Sequence, residues 1–321
     1  MLTQFSEHSL NISTGNLFQR NKKGAAMENT LIELFCAVDD FCKIFYPKWG
    51  KYLIEEGLKK RQTLSRLTPG EIMTIVIYFH IIRFRDFKTY YIRYVLIYLQ
   101  KAFPELVSYS HMVNLLKTIL VPLCVFLQTL RGEKTGIYFV DSMIMRACHI
   151  KREQQHRVFY GLAKKAKSTV GWFFRFKLHL VINDKGELMA FKITAGNVDD
   201  RKPVIDLVKH LAGKLFGDKG YISQELFEKL MNQGVQLITK LKSNMKNKLM
   251  PLADKLLLRK RALIETVNDQ LKNISQIEHS RHRSIWNFMV NLLAALTAYS
   301  LQPKKPSLHL SRKERRFLAM A

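Results

Sequence analysis

The sequence predicts an α/β domain built on a mixed sheet, preceded by an all-α N-terminal domain. Apolar residues recur at the three- and four-residue spacing of helices up to about residue 131. From residue 137 they alternate as strands do, and strand and helix patterns then follow one another. This change of period divides the chain into two domains, and the order of elements in the second is typical of a mixed α/β sheet.

The net charge of the chain indicates a polyanionic partner. The 321 residues include 52 Lys and Arg against 26 Asp and Glu, which gives a formal net charge of +26. Nucleic acid is favoured over an anionic membrane surface, because no apolar run reaches the ~18 residues that a membrane span needs. We therefore expect a nucleic-acid partner and no membrane association.

The N-terminal residues and the cysteines limit the possible cellular location and the possible metal and disulfide chemistry. Residues 1–26 are polar and lack the apolar core of a secretory signal, so we expect a flexible extension on a protein that stays inside the cell. The cysteines are Cys36, Cys42, Cys124 and Cys148. Because they lack CxxC spacing, they argue against both a zinc site and a disulfide framework.

Helical segments account for the N-terminal domain. The first has an apolar face that includes Leu31, Leu34, Val38, Phe41 and Phe45. The second follows "LTPGE", where Thr68 can cap the helix and Glu71 can complete a capping box. The third covers roughly residues 110–130. Between them, residues 84–94 interleave aromatic and basic side chains, which is more typical of core packing with a solvated face than of DNA binding.

Strand patterns dominate the second domain, beginning with "IYFVDS" at residues 137–142. "WFFRFKLHLVI" at 172–182 alternates apolar and basic residues, and "LMAFKITAG" follows across the turn "NDKG". A helix over "DDRKPVIDLVKHLAG", the short strand "KLFGDKGY", a second helix and the strand "VQLITKL" come next. A long basic helix around "RKRALIETVNDQLKN" then closes the segment.

Two of these strands end in an aspartate. Asp141 ends the first, and Asp218 ends the fourth, where Gly217 and Gly220 allow the backbone to turn closely. Turn capping is the commoner reason for an aspartate at such a position. The other possibility is a pair of neighbouring metal ligands, completed by Glu265 from the long helix.

A cluster of carboxylates requires cations. Carboxylates held ~4 Å apart repel by about 4 kcal/mol per pair at an effective dielectric of 20. Mg²⁺ or Mn²⁺ accepts oxygen ligands and leaves positions open for phosphate and water. Two such ions, about 3.5 to 4 Å apart, would polarise a scissile phosphate and stabilise both the attacking and the leaving oxygen.

Competing acids stand in "GNVDDR". Asp199 and Asp200 are each plausible as the second carboxylate of the cluster. They precede an apolar-periodic helix with Pro203 near its start, so capping explains at least one of them. We therefore favour Asp218.

Basic residues surround the third acid. From Lys240 to Arg261 the only acid is Asp254, whereas a solvated face would mix signs. We expect this region to follow DNA phosphates; its candidate contacts, with one from the helix beyond, are Lys246, Lys248, Arg259, Lys260, Arg261 and Lys272. On the predicted helix Arg261, Glu265 and Lys272 share one face, for which surface ion pairs are the alternative explanation. His279 and His282 in "HSRHR" are more typical of phosphate contact or plain helix surface than of metal ligation.

Long motifs occur in a recognisable order along the chain. They are "IYFVDS", "GWFFRFKLHLVIND", "AGNVDDR", "LFGDKGYIS", "LITKLKSNMKN", "LLLRKRALIETVNDQLKNISQIEHSRHRS" and "QPKKPSL". Together they resemble the bacterial insertion-sequence DDE transposases, specifically the insertion-sequence 982 family, over roughly residues 28–310. The resemblance implies a ribonuclease H-like catalytic domain in which Asp141, Asp218 and Glu265 are the catalytic, metal-binding carboxylates.

The resemblance also implies an activity and its partners. The expected reaction is metal-dependent cleavage of double-stranded DNA at the terminal inverted repeats of a transposon, followed by strand transfer into target DNA. The need to pair two ends suggests a homodimer on DNA. The expected location is the bacterial cytoplasm, at the nucleoid.

Three positions depart from the family pattern. Leu258 stands where the signature around Glu265 has a tyrosine, which removes a possible DNA contact. Arg175 and Ala166 stand where a small residue and a glycine are expected. The metal chemistry that the resemblance implies is left intact.

Four regions follow from these patterns. We predict a flexible extension over 1–26, a helical N-terminal domain for DNA-end binding over 27–131, the catalytic domain over 132–302 and a basic C-terminal tail over 303–321. Two alternatives to a transposase stay open. One is a catalytically inactive DNA-binding protein, such as a degenerate transposase copy, and the other is a structure-specific nuclease of the same fold.

Overall fold

The fold was obtained as a computed structural model. The described residues are 27–58, 65–149, 151, 153, 157–168, 171–240, 250–277 and 282–319. The predicted extension over 1–26 lies outside them, as do Lys246, Lys248 and His279.

Helices occur throughout the described chain. Their bounds are α1 Met27–Glu55, α2 Pro69–Ile81, α3 Phe87–Tyr90, α4 Leu96–Tyr98, α5 Tyr109–Leu115, α6 Leu120–Thr129, α7 Val204–Leu207, α8 Gln224–Asn232, α9 Leu252–Arg259, α10 Ala262–Asp269, α11 Ile285–Ser300 and α12 Arg312–Ala319. Short 3₁₀ turns cover Leu116–Ile119, Arg157–Phe159 and Lys219–Tyr221, and π turns cover Tyr91–Val95 and Gln270–Ile274.

The strands form one mixed sheet. They are β1 Ile137–His149, β2 Lys164–Ser168, β3 Gly171–Asn183, β4 Leu188–Ala195, β5 Gly213–Gly217 and β6 Val235–Thr239. The order is β2-β3-β1-β5-β6, and β4 also pairs with β3. Both β1 and β4 are antiparallel to β3, whereas β5 is parallel to β1 and β6 is parallel to β5. The mixed sheet is as predicted, and β2 is a strand that the sequence patterns did not predict.

The chain divides into two compact units. The first comprises residues up to Leu130 together with Trp286–Pro303, and the second comprises Arg131–Ile285 and Lys304–Ala321. The sequence prediction had instead assigned residues 286–302 to the catalytic domain. In the structure this helix, α11, contacts the N-terminal helices, where the Asn287 amide donates a hydrogen bond to the Val113 carbonyl. Such an apolar helix is stable where other helices can cover it.

Helix capping in the first unit agrees with the sequence. The Thr68 hydroxyl accepts a hydrogen bond from the Glu71 amide at 3.2 Å, and the Glu71 carboxylate accepts one from the Thr68 amide at 2.7 Å. This reciprocal pair confirms the predicted capping box at the start of α2. Pro69 occupies the first helical position, where its missing N–H costs nothing.

The aromatic residues between α2 and α4 belong to the core. Tyr90 and Tyr91 are fully buried, and their hydroxyls donate to the carbonyls of Ile75 and Val107 at 3.0 and 2.7 Å. Both polar atoms of these rings are therefore satisfied by the protein itself. The packing interpretation is confirmed for these two tyrosines.

One apolar helical stretch is longer than expected. Tyr109–Thr129 spans 21 residues and is apolar enough to cross a membrane by length and composition, so the expectation that no apolar run reaches this length is wrong. Core helices meet the same criterion. Leu123 and Phe126 are buried here, and the Phe126 ring centroid lies 5.1 Å from that of Phe41 on α1.

Helices cover both faces of the sheet in the second unit. On one face, Tyr138 and Val140 of β1 join a hydrophobic cluster with Val204 of α7 and Leu226 of α8. On the other, Phe139 of β1 packs against Phe216 of β5, and α10 contacts β1. Because side chains alternate along a strand, Asp141 shares the face of Phe139.

Strand β3 is buried on both faces, contrary to its alternating pattern. Arg175 is 5% exposed and His179 is 1% exposed, although both belong to the side that the sequence predicts to be polar. β3 lies inside the sheet, with β1 along one edge and β2 and β4 along the other. The predicted helix over residues 199–213 is also reduced, to the single turn of α7.

The long basic helix of the prediction is broken. It ends at Arg259, restarts as α10 at Ala262, and widens into a π turn over Gln270–Ile274. The predicted C-terminal tail is ordered against this region from residue 304 to α12. The Lys260 ammonium donates to the His309 carbonyl at 2.7 Å and lies 3.5 Å from the Glu314 carboxylate.

Candidate active site

Asp141 lies at the point where the sheet opens beside β1. The strand does not end there, as the sequence pattern suggests, but continues to His149 along β3. Its parallel partner β5 stops at Gly217, and pairing with it covers only residues 137–139 of β1. The Asp141 carboxylate is therefore part-buried at an edge that β5 no longer covers.

Asp218 follows directly at the end of β5. Phe139 and Phe216 are in register, so Asp141 and Asp218 occupy equivalent positions two residues further along neighbouring parallel strands. Asp218 precedes a 3₁₀ turn, but its side chain makes no capping hydrogen bond. Turn capping, the usual reason for such an aspartate, does not explain this one.

The backbone turns closely between these two acids. A Cβ at Gly217 would lie 3.1 Å from the Tyr221 ring and 3.3 Å from a Val140 methyl. Contacts this short leave room for glycine and crowd larger residues. This close packing explains why glycine stands at position 217, where the sequence predicts a close turn.

Glu265 is supplied by the first turns of α10. Its carboxylate accepts a hydrogen bond from the Arg261 guanidinium at 2.6 Å, four residues earlier. Arg261 is mostly buried, whereas the Glu265 side chain is 55% exposed. The ion pair that the sequence offered as an alternative explanation is therefore present in the structure.

Asn268 connects this helix to the first strand. Its amide nitrogen donates to the Asp141 carboxylate at 2.9 Å across 127 positions of sequence. The side chain is 9% exposed, and its amide oxygen is buried without a hydrogen-bond partner among the described residues. Sequence reasoning missed Asn268, although a polar residue between the buried Ile264, Val267 and Leu271 was a usable signal.

The environment of Asp141 disfavours its charge. The pKa of Asp141 is raised to about 6, chiefly by burial and to a lesser extent by the carboxylates of Glu265 and Asp218. The Ser142 amide and the Arg261 guanidinium act in the opposite direction on the same pKa. Asp141 thus interacts electrostatically with both of the other acids that the sequence singles out.

A divalent cation suits this donor set in chemistry. Asp141, Asp218 and Glu265 would supply the carboxylate oxygens, and a cation would relieve the like charges that raise the Asp141 pKa. The described residues contain no group of three or more His, Cys, Asp or Glu that could already hold an ion. Glu265 faces Arg261 instead, so binding requires this side chain to exchange its partner. The expected pair of ions stays a prediction.

Asp199 and Asp200 lie in a different environment. Asp200 accepts from the Lys177 ammonium at 2.8 Å, and Lys177 is in register with Ile144, whose side chain is on the face opposite Asp141. Asp199 accepts from the Arg201 backbone amide at 2.9 Å, as an aspartate in a local turn does. The Arg201 side chain also holds the pKa of Asp199 well below its usual range.

The basic residues that the sequence suggests as DNA contacts lie in different environments. Arg259 is exposed at the end of α9, whereas Lys260 contacts the C-terminal segment and Arg261 contacts Glu265. Lys272 lies in the π turn that follows α10. Burial lowers the pKa of His282 to about 4, so this side chain is neutral at pH 7.

The departures from the family pattern can be located only in part. Leu258 is 6% exposed and belongs to the buried side of α9, so an aliphatic residue suits the position. Arg175 is buried in β3, as described above. The Ala166 side chain lies outside the described atoms.

One comparison with known proteins gives a match to part of the chain. Residues 131–285 match a family model described as the transposase DDE domain. No match was found among curated proteins or among solved structures. The matched segment contains all three acids and most of the second unit, and it supports a DDE transposase.

Proposed function

We propose that this chain is a transposase of the insertion-sequence 982 type, which cuts DNA at transposon ends and transfers the strands into target DNA. One observation carries the proposal. The part-buried Asp141 carboxylate interacts with those of Asp218 and Glu265 inside the segment that matches the transposase DDE domain. A perturbed carboxylate among like charges is typical of a catalytic site.

The three acids would hold Mg²⁺ or Mn²⁺, two ions in the full proposal. Bound ions of this kind activate the attacking oxygen and stabilise the leaving one in phosphoryl transfer. Asn268 fixes the orientation of the Asp141 carboxylate through its hydrogen bond. Arg261 neutralises Glu265 in the DNA-free chain and becomes available for a phosphate when Glu265 turns to a cation.

DNA contacts follow from the charge around these acids. Arg259, Arg261 and Lys272 would bind phosphates near the cut, with Lys246 and Lys248 continuing the path. The helical first unit would recognise the terminal inverted repeats, and a homodimer would pair the two ends. The site of action would be the bacterial nucleoid.

A ribonuclease H-like architecture is part of this proposal. The sheet supports it, because β3 and β4 form antiparallel pairs beside β1, and β5 and β6 then continue in parallel. With helices on both faces, the open edge lies beside β1 at Asp141, beyond the end of β5 at Gly217. This edge is where a substrate strand can reach the acids.

A DNA-binding protein without catalysis is the second candidate. The Arg261–Glu265 ion pair favours it, because this contact occupies an acid that cation binding needs. The lack of a preformed group of three metal-binding side chains among the described residues points the same way. Charge alone would still bind DNA.

Cleavage of end DNA separates the two candidates. The purified chain is incubated with DNA carrying the inverted repeats that flank its gene, with Mg²⁺ or Mn²⁺, and cut and joined strands are resolved on gels. We expect both products from the wild type, and losses of at least about 10³-fold for Asp218→Asn and Glu265→Gln. Asp206→Asn, at an exposed carboxylate paired with Lys192, is the matched control.

The outcomes discriminate clearly. Unchanged cleavage in the Asp218 and Glu265 variants contradicts the assigned site. Binding of end DNA without cleavage under either metal favours the inactive protein, and cleavage without joining favours a nuclease. Sedimentation of a monomer on paired-end DNA would contradict the homodimer.

A further inference from the structure

A short turn beside the sheet holds apolar side chains in water. Tyr160 is 81% exposed and Leu162 is 50% exposed, although their neighbours Phe159 and Ala163 are buried. The Phe159 ring packs edge to face on Phe176, with centroids 5.2 Å apart. The turn is thus anchored on both sides of the exposed pair.

Backbone hydrogen bonds close this turn. The amides of Leu162 and Ala163 both donate to the Phe159 carbonyl, at 3.1 and 3.0 Å. Gly161 between the exposed residues has φ +79°, a conformation that glycine adopts without strain. An ordered turn that presents an aromatic ring loses little conformational freedom when a ligand covers it.

The anchor lies on the face of the sheet that carries Asp141. Phe176 is the cross-strand partner of Met145, and Asp141 and Met145 are separated by an even number of residues on β1. Four residues of strand correspond to about 13 Å. The rise of duplex DNA over roughly four base pairs covers the same distance.

Basic residues flank the exposed ring along the chain. Arg157 precedes it and Lys164 follows it, both exposed, and Lys165 pairs with Glu153 at 3.2 Å. Within residues 146–167 the acids are limited to Glu153, whereas the basic residues are Arg146, Lys151, Arg152, Arg157, Lys164, Lys165 and Lys167. An aromatic ring among cations is complementary to a nucleic-acid strand with an accessible base.

We infer that Tyr160, supported by Leu162, is a stacking platform for an unpaired base of the DNA strand near the cut, with Arg157 and Lys164 on its phosphates. The inference rests on the proposed function, because it takes DNA as the substrate of the Asp141 edge. It adds a preference for DNA that carries unpaired nucleotides beside the duplex.

Binding without metal tests this platform. The full chain is titrated in EDTA with a fluorescent duplex carrying a four-nucleotide single-stranded tail, and with a fully paired duplex of the same length. We expect wild type to prefer the tailed DNA. Tyr160→Ala should weaken tailed binding about 10-fold and leave paired binding unchanged, because stacking contributes about 1–3 kcal/mol per base.

Two further variants separate stacking from charge. Tyr160→Phe retains the ring and should bind tailed DNA within about twofold of wild type. Lys164→Ala should weaken both DNAs and reduce the slope of log affinity against log salt by about one. Tyr160→Ala should leave that slope unchanged, since it removes no charge.

Several results would overturn the platform. These are equal wild-type affinity for tailed and paired DNA, a Tyr160→Ala effect shared by both DNAs, and no Tyr160→Ala effect at all. A change in the sedimentation of DNA-free protein on Tyr160→Ala would instead assign the surface to a second copy of the chain. Because metal is absent, a chain that prefers tailed DNA but never cuts contradicts only the proposed catalysis.

Discussion

Acid clusters on opposite faces of one sheet differ in how their charge is balanced. Asp200 accepts from Lys177 at 2.8 Å, so this carboxylate faces a cation of its own. Asp141 instead receives the neutral amide of Asn268, and the nearby Arg261 pairs with Glu265. Burial and neighbouring acids therefore raise the Asp141 pKa to about 6.

Under the proposed function, this difference would separate a structural acid from a functional one. A carboxylate with a matched cation contributes to the fold and needs nothing further. A carboxylate held among like charges costs stability, and proteins retain such costs where a ligand or a reaction requires them. This contrast, rather than sequence order, favours Asp218 over Asp200 as the partner of Asp141.

The strongest test of this comparison replaces one acid on each face by asparagine, in two separate variants. Asp141→Asn should lower metal-dependent cleavage by at least about 10³-fold without loss of stability. Asp200→Asn leaves the Lys177 ammonium, with a side chain only 15% exposed, without its carboxylate. It should lower the free energy of unfolding by about 2 kcal/mol, while cleavage per folded molecule is retained.

Single-turnover cleavage and urea unfolding measure these two effects. Asp206→Asn serves again as the control for loss of an exposed carboxylate. If Asp200→Asn abolishes cleavage with stability intact, then Asp200 is the second catalytic acid and the comparison fails.

The amide of Asn268 offers a smaller, sharper test. Asn268→Ala removes the donor to Asp141, so we expect cleavage to fall about 10-fold, close to the worth of one hydrogen bond to a charged group. The Asp141 pKa should rise further, because the charged form loses its donor. The acid limb of the pH–rate profile should then move to higher pH.

A matched variant isolates the position of the amide. Asn273→Ala removes an exposed asparagine from the π turn that follows α10, where its amide donates to Asp269. This control should leave both rate and pH profile unchanged. A loss of stability in Asn268→Ala with an unmoved acid limb would reduce Asn268 to a packing role.

The sequence predicted local features better than the connections between them. The capping box at Thr68 and the β3–β4 hairpin depend on neighbouring residues, and the structure contains both. The break at Lys260 was not predictable, because it is accompanied by contacts with His309 and Glu314 some fifty residues later. The sequence therefore predicts one helix over residues 259–273, whereas the structure has a break between Arg259, which ends α9, and Ala262, which begins α10.

The site shows the same limit. Asp141 and Asp218 were found because each follows an apolar run that is typical of a strand, and the parallel register of β1 and β5 places them at equivalent positions, although β1 continues past Asp141. Asn268 was missed because its importance depends on a carboxylate 127 positions away. The partner of Glu265 was found from helical spacing, but spacing could not say whether Arg261 serves the ion pair or the DNA.

The smallest effect is the pH dependence of stability, and it isolates Asp141 itself. The pKa of Asp141 is about 6 in the folded chain against an ordinary value of 3.8, so between these values the native state binds more protons than the unfolded state. Stability from this group is thus present at low pH and is lost as pH rises towards 6.

The Asp141→Asn variant lacks this loss, so its stability should improve relative to the wild type between pH 4 and pH 7. In EDTA, the difference in free energy of unfolding between the two chains should shift in favour of the variant by on the order of 1 kcal/mol. Mg²⁺ should reverse this difference in stability, because it stabilises only the wild type. A difference between the two chains that is the same at both pH values would show that Asp141 is not strained by its surroundings, and would remove the physical contrast between the two faces.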